Sequence, residues 1–127
     1  MSFDWKNFLI LAEELAGRSD TASKRTAISR AYYFVFNIAF IRATLTTGDY
    51  PRDESFHNWC WTKYRSSPVI ECQRLAVAGE RMKAARVKAD YSPADISRLD
   101  DLVQRMLADA RQFEMDIGTL NPRYPLR

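Results

Sequence analysis

The stretch Ile28-Ser29-Arg30-Ala31-Tyr32-Tyr33-Phe34-Val35-Phe36-Asn37-Ile38-Ala39-Phe40-Ile41 decides the fold. Between Ala31 and Ile41 the only strongly polar side chain is Asn37. Apolar residues occupy every angle of a helical wheel, and a helix that is apolar all round is enclosed by other helices. The run is too short to span a membrane, which takes about 20 apolar residues, and Arg30 and Arg42 bracket it. The polar exceptions Thr26, Arg30, Tyr33, Asn37 and Thr44 recur at spacings that share one helical face. A buried helix with one polar line is therefore expected. Arg30 on that line either snorkels out, pairs with a carboxylate from another helix, or faces a cleft.

Upstream, Phe8, Leu9, Ala12, Leu15 and Ala16 keep helical spacing, which predicts a first helix from Asp4 to Ala16 stopped by Gly17. Ser19-Asp20-Thr21 offers N-caps for the second helix, Ala22 to Thr46, about 37 Å long at 1.5 Å per residue and ended by Gly48. Downstream, Gly48 to Ser55 is a polar connection containing Pro51, and a short helix follows around Phe56 to Tyr64. Trp59 and Trp61 are two apart and face different directions, one toward the core and the other toward a partner chain or the surface.

Ser67-Pro68 predicts an N-cap and first-position proline for a fourth helix reaching Ala89. Its inner side carries Cys72, Leu75, Ala76, Gly79, Met82, Ala85 and Ala89, mostly small, which would let another helix approach closely. Ser92-Pro93-Ala94-Asp95 reads as the start of a fifth helix. Ile96, Leu99, Val103, Met106, Ala110, Phe113 and Ile117 give that helix a sustained apolar seam. Gly118 closes it, and residues 118–127 are expected as an extended tail. No segment alternates as a strand does. The expected fold is all-α, one domain over residues 1–127, an up-and-down bundle of four long helices plus one short helix.

Nineteen basic and sixteen acidic residues leave a net charge of +3, which permits contact with nucleic acid without demanding it. Cys60 and Cys72 are the only cysteines, and the opening Met-Ser-Phe-Asp-Trp-Lys lacks the basic and then apolar pattern of an export signal. Reduced thiols and a cytoplasmic location are expected. His57 and Cys60 are too sparse a set for zinc, and residues three apart on a helix are neighbours by geometry alone. Neither a metal site nor a Cys–His pair is predicted, and no cofactor.

The fourth helix ends in Arg86-Val87-Lys88-Ala89-Asp90-Tyr91. Arg86 and Asp90 are four apart and can pair. Asp90 also lies near the negative end of the helix dipole, where a carboxylate needs a cation such as Arg30 or Arg86. Arg86, Asp90 and Tyr91 are thus expected to join Arg30, Tyr33 and Asn37 around one polar site, either structural or functional.

Ser29-Arg30-Ala31-Tyr32-Tyr33 with Phe36, followed by Arg86-x-x-Ala89-Asp90-Tyr91, resembles the HEPN superfamily of small helical proteins. The likeness is to the branch with an R-A-Y-Y-x-x-F second helix and an R-x-x-A-D-Y fourth helix, and it covers Phe8 to Ile117. His57 falls where that branch often has a histidine. The resemblance implies a helical domain that forms a homodimer. Many such proteins are metal-independent ribonucleases of toxin–antitoxin or defence systems, and some partner a small nucleotidyltransferase. Their R-x4-6-H site maps its arginine onto Arg86, whereas Tyr91 stands in place of the histidine.

Histidine takes and gives a proton near neutral pH, while tyrosine, with a pKa of about 10, is a poor acid there. The resemblance therefore implies RNA or nucleotide binding with weak or altered ribonuclease activity. Arg86, Asp90 and Tyr91 are its catalytic candidates, and Arg30, Tyr33 and Asn37 its substrate-binding candidates. The alternative is a non-catalytic dimerisation or protein-interaction module whose polar cluster is structural.

Overall fold

The chain folds as five helices, described over residues 3–124 in a computed structural model. They are α1 (Lys6–Ala16), α2 (Thr21–Thr47), α3 (Phe56–Arg65), α4 (Ile70–Tyr91) and α5 (Leu99–Gly118). No strand occurs among the described residues. α2 starts where it does because the Asp20 side chain accepts the Ser23 N–H at 2.9 Å, satisfying one of the free donors of the first turn. It ends at Gly48, whose left-handed φ of 70° a side chain would resist. Its 27 residues span about 40 Å.

α2 packs against all four other helices, as a helix with apolar residues all round its middle must. Ile28, Tyr32, Phe34, Val35 and Ala39 are fully enclosed. Along α2 from Ser29 to Tyr33 the partner position on α4 moves back from Asp90 to Arg86, so these two helices are antiparallel. Tyr64 reaches in from α3, and its buried hydroxyl donates to the Ala39 carbonyl at 2.7 Å. Both Trp59 and Trp61 are buried, at 6% and 1% exposure, so neither faces a partner or solvent as the spacing predicted. α3 is short and sits against α2 and α4 together, which leaves room to cover two directions at once. The Trp61 ring rests on Gly79, where an added Cβ would come 2.3 Å from the ring.

Two predicted helix starts are corrected. Ser67-Pro68 does not open α4, which begins at Ile70 after Val69. The Ser67 hydroxyl accepts the Val69 N–H at 3.1 Å, and Gln73 returns to the Ser67 carbonyl at 2.9 Å, so the turn is closed before the helix begins. Ser92-Pro93 does not open α5 either; Ser92 closes α4, and α5 begins at Leu99. The reason is Arg25 of α2. Its guanidinium donates to the carbonyls of Ala89 (3.2 Å), Ser92 (2.7 Å) and Ala94 (2.7 Å), so those oxygens are satisfied from outside. The connection then enters α5 through Arg98, whose φ of 56° is left-handed.

The tail is not extended over its described part. The Tyr124 N–H closes a turn on the Asn121 carbonyl at 2.9 Å, and Arg42 donates to the Asn121 and Tyr124 carbonyls. Residues 125–127 of the predicted tail lie outside the described residues. Among the described residues no helix is long and apolar enough to cross a membrane.

Candidate functional site

The polar line expected on α2 mostly bonds to its own helix. Thr26 donates to the Ala22 carbonyl, Asn37 to that of Tyr33 and Thr44 to that of Ile41. Such back-bonding is how short polar side chains satisfy themselves within a helix. Asn37 thus spends its amide N–H on Tyr33 instead of meeting Arg86 or Asp90. Arg30 also departs from the expected pairing with a carboxylate. Its guanidinium lies 4.7 Å from the ring centre of Phe8 and 5.1 Å from that of Tyr33, a cation held against aromatic faces.

The face of α2 that meets α4 shares only Tyr33 with that line and is otherwise turned by about one residue from it, carrying Ser29 and Tyr32. Here Arg86, Asp90, Tyr91 and Tyr33 do come together. Arg86 is 8% exposed. Its guanidinium stands 5.7 Å from the Tyr32 ring centre, 5.3 Å from Tyr33 and 6.0 Å from Tyr91. Asp90 is its sole carboxylate neighbour among the described residues, and the contact is long, 3.5 Å from Nη1 to Oδ2. Ser29 donates to the same oxygen at 3.2 Å, tying α2 to the end of α4.

This leaves the cation under-satisfied. Arg86 Nε is sealed from solvent and has no hydrogen-bond partner, the one buried side-chain polar atom among the described residues of which this is true. A guanidinium carries five N–H donors, and burying one without a partner costs free energy that aromatic faces only partly return. Tyr91, at the rim, is 72% exposed and presents a free ring beside the cation.

His57, at the start of α3, joins the same cluster from the other side. Its ring stacks on Tyr32 and on Phe36, with centroids 5.5 and 4.1 Å away, and meets Tyr33 edge-on at 5.9 Å. The Tyr32 hydroxyl and His57 Nδ1 are 2.6 Å apart, and the Trp61 indole N–H donates to the same hydroxyl at 3.1 Å. Burial, with Lys83 and Arg86 nearby, lowers the His57 pKa from 6.5 to about 4. Lys83 stands one turn before Arg86 and reaches the Asn58 side chain at 3.3 Å. Cys60 faces the interior, and burial pushes its thiol well up, so it is a packed side chain and no nucleophile.

The spacing of polar residues could not find Ser29, Tyr32 or Lys83. His57 was visible as a lone histidine, but its neighbours are long-range. Among the described residues no group of three His, Cys, Asp or Glu side chains is placed to hold a metal ion. A groove of about 300 Å³ between α4 and α5 lies apart from this cluster. It mixes Arg74 and Arg81 with Glu71, Asp109 and Asp116, and Arg81 is already paired with Asp109. No family model, curated protein or solved structure matches this chain.

Proposed function

We propose that this chain is an RNA-binding domain of the HEPN type, a homodimer of the toxin–antitoxin or defence kind, in which Arg86 anchors a phosphate. The observation that carries the reading is the nearly buried Arg86 guanidinium, whose one counterion is distant and whose Nη2 is unpartnered but not sealed from solvent. Phosphate suits such a group, because a charged N–H donates strongly to its oxygens and an anion offsets the charge that Asp90 neutralises incompletely. Arg30 and Lys83 add positive potential nearby.

The exposed ring of Tyr91 supports a single strand over a duplex. Single-stranded bases are free to stack on aromatic side chains, and each such stack is worth about 1–3 kcal/mol. With tyrosine at position 91, proton transfer near neutral pH lacks its usual agent, so binding outlasts cleavage in this reading.

A second reading is favoured by the Ser29–Asp90–Arg86 contacts, which join α2 to α4 and would serve a purely structural cluster in a protein-interaction module. Fluorescence anisotropy with labelled single-stranded RNA separates the two, run on the parent, Arg86→Lys and Tyr91→Ala. The RNA reading expects binding that falls with salt, weakens about tenfold or more in Arg86→Lys, and weakens in Tyr91→Ala. Equal retention by folded variants, or none by the parent, favours the structural reading. Light scattering checks the dimer: a mass of one chain overturns it.

A further inference from the structure

We propose that His57 is a second phosphate-contacting residue of this site, held by Tyr32 as an Nε2–H donor. The inference deepens the RNA-binding reading and rests on it. Its geometry begins at Tyr32, which is completely buried. The Trp61 indole can only donate, so it uses a lone pair of the Tyr32 oxygen. The phenolic proton then needs an acceptor, and His57 Nδ1 at 2.6 Å is the one within reach. A histidine whose Nδ1 accepts and whose ring is neutral carries its proton on Nε2.

That Nε2 has no protein partner among the described residues, and it is not sealed from solvent. The outer nitrogen of Arg86, Nη2, is in the same condition. Both side chains lie against the rings of Tyr32 and Tyr33, so one pair of tyrosines sets the positions of two donors. A cation and a neutral N–H beside it form a fitting pair for a phosphodiester, which has one charge spread over two free oxygens. Tyr32 is a positioning residue here, with no contact to the ligand of its own.

The assignment also says what His57 does not do. With Nδ1 engaged and Nε2 already protonated, it has no free lone pair with which to take a proton from a 2′-hydroxyl. It therefore holds the strand without replacing the histidine absent at position 91.

The test is anisotropy with a short labelled single-stranded RNA on the parent, His57→Ala, His57→Gln and Tyr32→Phe. It is paired with nitrogen-15 NMR of the imidazole before and after the RNA is added. The expected result is about tenfold weaker binding by His57→Ala, the loss of one hydrogen bond to a charged group. Binding should be largely recovered in His57→Gln, whose amide can donate. In the parent the NMR should report an Nε2–H tautomer whose Nε2 signal moves with RNA, and in Tyr32→Phe a mixture of tautomers. RNA binding that depends on Arg86 but is unchanged in a folded His57→Ala overturns this proposal and leaves the RNA reading standing. An Nδ1–H tautomer in the parent overturns it as well. No RNA binding by the parent overturns both.

Discussion

The Tyr32 hydroxyl and His57 Nδ1 stand 2.6 Å apart, and that hydrogen bond joins the most buried face of α2 to the start of α3. Trp61 completes the arrangement from one turn further along α3. Tyr32, twenty-five residues away, and Trp61, one turn along α3, thus fix the orientation of the chain's single histidine.

Stability should depend on pH through that histidine. His57 faces Tyr32 and Tyr33 on α2 and Lys83 and Arg86 on α4, and its pKa is lowered from 6.5 to about 4, by burial first and the two cations second. Above about pH 6.5 both folded and unfolded chains hold it neutral, and its contribution is fully present. As the pH falls toward 4 the unfolded chain takes up a proton that the folded one refuses, so stability drops across this window. Urea unfolding at several pH values should show the drop, and His57→Gln should lessen it. An identical slope in both proteins refutes the assignment.

Gly79→Ala should be destabilising although alanine is the better helix former. The new Cβ would lie 2.3 Å from the Trp61 ring, which is 1% exposed and walled in by Tyr64 and Phe113. Overpacking of this kind costs about 1–3 kcal/mol, more than the roughly 1 kcal/mol of helix propensity gained. The urea midpoint decides it, and an unchanged or higher midpoint counts against this packing.

Arg25→Lys should loosen the connection from Ser92 to Arg98 despite keeping the charge. A single ammonium cannot satisfy three carbonyls that a planar fork reaches together. A loss of about 1–3 kcal/mol is expected, with faster amide exchange at the end of α4. Exchange at parental rates would show that Arg25 does not hold the loop.

Tyr64→Phe removes the buried hydroxyl that meets the Ala39 carbonyl at 2.7 Å and keeps the ring. The expected cost is about 1 kcal/mol, the net worth of one neutral hydrogen bond, measured again by urea unfolding. No change in midpoint would mean that the bond is not formed in solution.

The predicted site was partly legible because two of its members are local. Arg86 and Asp90 are neighbours by helical geometry, and Tyr91 follows at once. The polar line on α2 was right in Tyr33, which meets Arg86, and misled in Arg30 and Asn37, because the face toward α4 continues through Ser29 and Tyr32. One residue is about 100° of helix rotation, enough to send a side chain to a different neighbour.

Periodicity and caps, which depend on residues a few places apart, determined by themselves that this chain is helical. They also determined that the stretch from Ile28 to Phe40 lies mostly inside, and that a cap within Ser19-Asp20-Thr21 and Gly48 bound its helix. Tertiary structure decided where α4 ends and α5 begins, because Arg25, some 65 residues away, satisfies the carbonyls that would otherwise favour a new helix at Pro93. It also decided that Arg86 is left an acceptor short and that His57 stands near it. Both depend on which side chains from other helices come within about 3 Å, a long-range outcome of packing that no local pattern encodes.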